Sequence, residues 1–520
     1  MTTLAEAGPA KKGIVDIVEV RRHGDAIVIP ESLSLENADK AIHARMDFEK
    51  EVVAVHAPIK APFPFEGAYA LHEILTNRFG WANGVPTPGF FGKTPPAMLA
   101  VPVGPNQTVQ VPWGRFSLPQ VDGYIETGIE TDDLGVTRFV IGGQVKRMHE
   151  KVVNEIVEAV QDRVRHNSIY KGKAFRVRLY DDRGRRIEMP EPKFLDLSRR
   201  VEDELILPED TDESVRTNIF TLIERTNEVT EIGIPLKRGI LLAGPFGTGK
   251  TMIARVTAEK AVDHSWTYVE VERIHEFAEV ARLVVAYGDQ EAGVVLFCED
   301  IDRIMQGDER SEGIDMVLNV IDGVESKGSA MMVVLTTNDL DGITSAMLRP
   351  GRLDAVIPVN PPDGPAAVRL ARQYGRGLID ENDPLTESEK LLAGNIPAVI
   401  REAVERSKLR ALRLTPKGEK LIVTDEALSL AVKEMANHVQ LLTPAEPDKR
   451  SETVKAAEIL AEAARESGVA FIGLPPKQDY PAHGWGATAY DSTPGVKPNS
   501  QAANGSTGKP KAGKDVSVEN

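Results

Sequence analysis

The spacing of apolar residues changes along this chain and divides it into zones. "GDAIVIP" (Gly24 to Pro30), "MLAVPVG" (Met98 to Gly104) and "TRFVIGG" (Thr137 to Gly143) are apolar runs bounded by turn residues. That is the pattern of strands. From Met148 to His166, Val152, Val153, Ile156, Val157, Val160 and Val164 recur at helical spacing. Pro58 to Pro119 is rich in Pro and Gly, which predicts long loops around one helix over Tyr69 to Arg78. Asp212 to Val229 reads as another helix, with Ile219, Leu222 and Ile223 on one face. Strands and helices then alternate to about residue 360, which predicts a parallel sheet with crossover helices. From Asp363 to about Glu466 the pattern is helical only. Beyond about Pro476 the chain is rich in Gly, Pro, Ser, Asn and Lys, too little apolar surface to fold alone.

Composition narrows the classes. A chain of 520 residues fits two to four domains, and 42% hydrophobic with 27% charged residues is ordinary for a globular protein. Lys plus Arg number 62 against 78 Asp plus Glu, a net charge of −16. That excludes a general nucleic-acid binder, though not a local basic patch. Cys298 is the one cysteine, so an intramolecular disulfide and a cysteine-cluster metal site are excluded. Met1 to Gly13 lacks an apolar signal core, and no uncharged apolar stretch is long enough to cross a bilayer. The expectation is a soluble, cytoplasmic chain with no membrane partner.

The chemistry is concentrated in three strand ends. "GILLAGPFGTGKT" (Gly239 to Thr251) is an apolar strand, a loop running Gly244, Pro245, Phe246, Gly247, Thr248, Gly249, Lys250, Thr251, and then a helical run. This is the G-x-x-x-x-G-K-[ST] phosphate loop in the context it needs. Its backbone amides wrap phosphates, Lys250 reaches the β- and γ-phosphates, and the Thr251 hydroxyl binds Mg²⁺. "GVVLFCEDID" (Gly293 to Asp302) ends in Glu299, Asp300 and Asp302 at the carboxyl end of a strand, where ligands bind in open α/β sheets. "MMVVLTTN" (Met331 to Asn338) ends in a polar residue able to touch a phosphate or a water. In "MLRPGRLD" (Met347 to Asp354), Arg349 and Arg352 flank a Pro-Gly turn outside any core pattern.

With these motifs, residues 205–410 resemble the ATPase module of the AAA family. "VLNVIDGV" (Val317 to Val324) is similar to the family's inter-subunit signalling helix, "TTND" to its sensor segment and "LRPGRLD" to its paired arginines. "AGNIPAVIREAVERS" (Ala393 to Ser407) looks like the lid helix that opens with a glycine, here Gly394, near the adenine. The resemblance implies ATP and Mg²⁺ as cofactors, and a homo-oligomeric, usually hexameric ring with ATP at subunit interfaces. It implies that Lys250 and Thr251 bind phosphate and metal and that Glu299 takes the metal position. Asp300 would activate water, Asn338 would act as the sensor, and Arg349 and Arg352 would reach a neighbouring subunit. The acidic pair departs from the family's usual Asp-then-Glu order, moving each carboxylate by one methylene. The implied fold class is α/β, a phosphate-loop parallel-sheet domain (212–362) with a small all-α lid (363–470). Before it stand a flexible start (1–13), a mixed α+β domain that recognises a substrate or adaptor (14–190) and a linker (191–211). A disordered tail (471–520) follows.

Three features point elsewhere or nowhere. Phe277 is the one aromatic near the start of the segment that carries a pore loop in translocating members, and with Ile274, Val280 and Ala281 it equally fits a helix face. Residues 146–186 hold twelve Lys or Arg against six Asp or Glu. That excess suits an acidic or nucleic-acid partner, but an edge strand guarded by charge is the favoured reading. No His-Glu-x-x-His sequence occurs, so no zinc-protease site of that type is expected, and Cys298 reads as a small buried hydrophobe. Three functions remain in play: an ATP-driven protein remodeller, a nucleotide-dependent assembly switch with weak hydrolysis, and a nucleic-acid-associated ATPase.

Overall fold

In the computed structural model the described residues are 21–23, 26–28, 34–80, 83–89, 92–94, 97–132, 136–288, 292–301, 330–338 and 352–442. The readings of residues 1–13 and 471–520, of Asp302, Arg349 and of Val317 to Val324 lie outside them.

The first module opens with helix α1 (Leu35–Lys50), whose Asn37 amide is capped by Ser34. Strand β1 (Val52–Pro58) leads to helix α2 (Pro64–Phe79), then β2 (Asn83–Val85), β3 (Ala97–Gly104) and β4 (Gln107–Trp113). After them come β5 (Arg115–Ser117), β6 (Gly123–Thr131), β7 (Thr137–Lys146) and helix α3 (Glu150–His166). An antiparallel sheet of order β1-β7-β6-β5-β2 packs with α2 and α3 around Leu71, Phe139, Ile141, Val153, Ile156 and Val160.

The predicted loops between Pro58 and Pro119 are instead mostly strand, and the helix starts at Pro64 rather than Tyr69. The prolines misled because each sits where its missing N–H is tolerated. Pro64 occupies the first helical position, and Pro102 and Pro112 lie in the two-stranded β3–β4 hairpin. Among the predicted positions of α3, Val153, Ile156, Val160 and Val164 are buried.

The second module is a sheet of order β9-β8-β11-β12-β13-β10-β14. Its strands are β8 (Ala174–Val177), β9 (Lys193–Phe194), β10 (Arg238–Ala243), β11 (Thr267–Val271), β12 (Val294–Cys298), β13 (Met331–Thr337) and β14 (Ala355–Pro358). Every pairing is parallel except β8 with β9. Alternate residues feed two cores: Leu241, Leu296 and Val333 on one face, Ile240, Leu242, Val295 and Val334 on the other. Helices α4 (Lys250–Asp263) and α5 (Phe277–Val284) cross between strands. The predicted helix over Asp212 to Val229 runs from Glu209 to Glu231, with a π-helical turn at Arg216–Phe220 and a break at Arg225.

Two expectations change here. Ala174–Val177, placed by the sequence in the first module, is the second strand of this sheet, so the boundary at 190 cuts through the second fold. It is not an edge strand, because Lys193 and Phe194 of the expected linker cover it. The third module is helical: α6 (Gly364–Gly375), α7 (Thr386–Leu392), α8 (Pro397–Leu414) and α9 (Asp425–Leu442). Asp363 caps α6 by accepting from the Ala366 amide at 2.9 Å.

The first and second modules share a buried seam. Phe63, just before α2, enters the second module's core, its ring 5.4 Å from Tyr170 and 6.1 Å from Phe175. One turn on, Glu66 is 2% exposed and accepts from the Tyr287 hydroxyl at 3.1 Å. Among the described residues its Oε1 and the Tyr170 hydroxyl have no hydrogen-bond partner. Burial lifts the Glu66 carboxyl from 4.5 to about 7, against the opposing effects of Ser168, Tyr287, Arg163 and the Ile169 backbone.

A carboxyl raised in the fold binds more protons folded than unfolded between those two values. Its stability contribution is therefore intact below about pH 4.5 and is lost as pH rises toward 7. At about 1.4 kcal/mol per pH unit the loss is about 3 kcal/mol. Glu66→Gln should therefore raise the urea midpoint at about pH 8 and leave it nearly unchanged at about pH 5. An equal shift at both pH values contradicts the assignment.

Candidate functional site

The register of the parallel strands assembles the site. Ala243 pairs with Thr337 and Cys298 with Leu335, so β10, β12 and β13 end at nearly one level. The next residues are Gly244, Glu299 and Asn338. The Gly244 amide donates to the Thr337 carbonyl at 3.2 Å and carries the pairing into the loop.

Sterics fix the loop sequence. A Cβ on Gly244 would stand 2.1 Å from the Val359 carbonyl oxygen. Gly247 and Gly249 hold φ of +78° and +114°, in the left-handed region that favours glycine. Gly249 is the N-cap residue of α4, so the loop opens onto a helix N-terminus with free amides. Thr248 ties the turn by donating to the Pro245 carbonyl at 2.9 Å. Phe246 is 67% exposed and packs no core, so the loop's one bulky side chain is not a constraint on its shape.

Lys250 is buried, and its ammonium donates to Gly244 O at 2.6 Å, Pro245 O at 2.8 Å and Asn338 Oδ1 at 2.8 Å. The Asn338 amide nitrogen in turn donates to Asp300 Oδ1 at 2.9 Å. A continuous polar chain therefore runs from Lys250 through Asn338 to Asp300. The Thr251 hydroxyl donates to Glu299 Oε1 at 2.8 Å, joining the two predicted metal ligands. A hydroxyl beside a carboxylate, at the mouth of a glycine loop, is an oxygen donor set that suits Mg²⁺ and a phosphate chain.

Asp300 has a backbone φ of +49°. Its amide donates to the Thr336 hydroxyl at 2.9 Å. Asp tolerates this left-handed conformation better than most non-glycine residues. Cys298, one residue before the pair, is buried, and its thiol is pushed up to about 12 by burial first and then by Glu299. It stays a neutral thiol, which closes the route to thiolate alkylation.

Arg352 is partly buried just before β14, and Arg349 lies outside the described residues. Gly394 belongs to the helical module, where its amide donates to Pro362 O at 2.8 Å and its φ is +78°. The same loop reaches the site through Ile396, whose Cδ1 would lie 3.3 Å from a Cβ on Gly247. Ile396, Leu207, Thr336 and Val359 are site neighbours that sequence reasoning missed. Leu207 stands 3.8 Å from a Cβ on Gly249 and lies in "DELILPED", where an apolar trio between acidic runs was the available signal.

Two alternative features resolve. Phe277 is fully buried with Val280, Ala281 and Val284 in the core beneath the sheet, so it is a core side chain and not a pore residue. The basic stretch is matched by acids. Arg176 pairs with Glu270 at 2.7 Å, Arg185 with Asp181 at 2.7 Å, Arg178 with Asp182 and Arg186 with Glu279. Those four arginines do not form an open phosphate-binding surface.

Comparison with known proteins agrees with the geometry. Residues 240–361 match the model of the "ATPase family associated with various cellular activities (AAA)". The chain is 28% identical over 244 residues to the ATP-dependent zinc metalloprotease FtsH of Clostridium perfringens, covering 44% of this chain and 34% of that protein. It is 29% identical over 237 residues to the proteasome-activating nucleotidase of Methanoregula boonei, covering 42% and 53%. A chloroplastic zinc metalloprotease, FTSH 5 of Arabidopsis thaliana, is 27% identical over 275 residues, covering 50% and 37%. The matches thus span about a third to a half of these relatives. Among the described residues no helix is long and apolar enough to cross a membrane. Residues 240–361, which hold the phosphate loop and the acidic strand end, are thus an AAA ATPase domain.

Proposed function

We propose that the chain binds ATP with Mg²⁺ at the phosphate loop and hydrolyses it to ADP and phosphate. It works as a ring of copies, six in the simplest case, that remodels a protein partner gathered by the first module. A cytoplasmic setting supplies the ATP. The observation that carries this reading is the polar chain Lys250–Asn338–Asp300 beside the Thr251–Glu299 pair.

Each residue then has a task. The loop amides and the α4 N-terminus take the phosphate oxygens. Lys250 exchanges its carbonyl partners for phosphate oxygens, which relieves a buried ammonium of a makeshift set of neutral acceptors. Thr251 and Glu299 hold Mg²⁺, which neutralises developing phosphate charge when bound. Asp300 orients the attacking water and accepts its proton. Asn338 touches both Lys250 and Asp300, so it links the phosphate position to the base. Arg349 and Arg352 reach the nucleotide of the next copy, and Gly394 lies near the adenine. The relatives' names, a protease that depends on ATP and a nucleotidase that activates a proteasome, support a protein as the partner.

A second reading, an assembly switch with weak hydrolysis, draws on two observations. The shorter carboxylate occupies the base position in a strained backbone, and Phe277 is buried instead of lining a pore. Nucleotide-dependent sizing together with turnover separates the two readings.

Lys250→Ala should abolish nucleotide binding, measured with a fluorescent ATP analogue. Asp300→Asn should keep binding and lower turnover by about 10²–10⁴-fold. Arg352→Ala should lower turnover by a comparable or larger factor and be rescued when mixed with Lys250→Ala copies, whose intact arginines serve its sites. Assembly in ATP with turnover no greater than that of Lys250→Ala would select the switch, and neither assembly nor turnover would refute both.

Exchanging the acids, Glu299→Asp with Asp300→Glu, sets a longer base against a less tolerated backbone. Turnover should rise if reach limits the rate. The melting temperature should fall by a few degrees, because Glu tolerates positive φ less well than Asp.

A further inference from the structure

A cleft of about 580 Å³ opens where the first module meets α5. That volume lies in the range of ligand sites. One wall is the segment Lys60 to Pro62 before α2, with Val136 and Arg138 of the β6–β7 end. The other is the outer face of α5 and the turn after it, Glu279, Arg282, Leu283 and Ala286. The floor is small and apolar, formed by Ala61, Leu283 and Ala286.

The charges of the lining do not cancel. Asp132 is paired with Arg138 at 3.2 Å. Glu279 is paired with Arg186 and accepts from the Tyr180 hydroxyl at 3.2 Å. Lys60 and Arg282 are both exposed, and neither has an ion pair among the described residues. The cleft therefore presents, over an apolar floor, two cations with no ion pair among the described residues, in a chain whose net charge is −16. Two exposed cations set beside apolar surface fit an occupant that brings its own negative charge.

We propose that this cleft binds an acidic peptide segment of a protein partner, with carboxylates on Lys60 and Arg282 and small apolar side chains on Ala61, Leu283 and Ala286. A peptide fits better than a compact anion because the cations come from different modules, with apolar surface in the same lining for side chains. The location gives binding a consequence. The seam of Phe63 and Glu66 continues from the Lys60–Pro62 wall, and α5 leads through Tyr287 into β12, which ends at Glu299 and Asp300. An occupant would clamp the first module onto the helix that feeds the acidic strand.

This inference deepens the reading of a protein partner and rests on it for the partner's nature. Binding itself is read without nucleotide, so its failure is distinct from a failure of the ATPase reading. The test uses the full chain and fluorescence anisotropy with a labelled hexapeptide alternating Glu and Ala, against the same peptide with Gln for Glu. The acidic peptide should bind at least about tenfold more tightly and weaken as salt rises. Lys60→Glu with Arg282→Glu should remove the preference, whereas Arg413→Glu, an exposed cation on α8 in the helical module, should leave it intact. Should the double reversal misfold, Lys60→Gln and Arg282→Gln singly should each weaken binding several-fold. Equal binding of the two peptides, or equal loss in Arg413→Glu, overturns the proposal. So does inorganic pyrophosphate displacing the peptide at concentrations no higher than the peptide's own, which would make the cleft a small-anion site.

Discussion

The in-register parallel pairing of β10, β12 and β13 is the constraint on which the site depends. All three strands are buried on both faces, so a slide by one residue would exchange the side chains of the two cores and break the packing of both. Their common level fixes where the chain may first become polar. At that level Gly244, Glu299 and Asn338 emerge together, although they are far apart in sequence. The 2.8 Å contacts of Lys250 with Asn338 and of Thr251 with Glu299 follow from this register, not from local sequence. Neighbours bound the loop as well: Ile396 of the helical module would stand 3.3 Å from a Cβ on Gly247, and Leu207 of the second module 3.8 Å from one on Gly249.

The seam between the first two modules is built differently. The phosphate site is polar and exposed at its mouth, whereas the seam inserts Phe63 into a foreign core and buries a carboxylate with one oxygen unsatisfied. A buried ionisable group is poor cement, since its charged form opposes the fold. What it does supply is direction: Glu66 accepts from the Tyr287 hydroxyl, which stands in the turn just after α5. The first module is thereby pinned to the helix that precedes the acidic strand. Rotation of one module relative to the other would cost the aromatic contacts and the hydrogen bond together.

What was legible in the sequence follows from how local each signal is. The phosphate loop needs Gly, Lys and Thr at fixed spacing within eight residues, and these stand between β10 and α4. The helix α3 was legible because valine and isoleucine from Val152 to Val164 repeat its period. Of the first module's strands, Met98–Gly104 and Thr137–Gly143 were legible as apolar runs, whereas the others between Pro58 and Pro119 were not, because prolines within a two-stranded hairpin and at a helix start look like loop punctuation. The strand Ala174–Val177 was assigned to the wrong module because pairing with Thr267–Val271 is made across some ninety residues. Nor can spacing say that each of four arginines in a basic stretch meets an acid, two of them from distant segments. The same limit hid Thr336, Leu207, Val359 and Ile396, which touch the site only through tertiary structure.

The reversed order of the acidic pair has a physical rationale in the backbone. The residue after Glu299 adopts φ of +49°, with its amide held by the Thr336 hydroxyl. In the left-handed region a short side chain that can hydrogen-bond locally is better tolerated, and Asp300 is such a residue. Its carboxylate also needs no greater reach to meet Asn338, which comes to 2.9 Å. The preceding residue has no such restriction, and there the longer Glu299 spans to the Thr251 hydroxyl. Each acid is thus matched to the distance that its own backbone position leaves to be covered. The exchange is a compensated arrangement, not a simple loss of catalytic reach. In the base role proposed for Asp300, its consequence for rate turns on where the water stands, since a base held by one well-placed partner gains orientation while it gives up length.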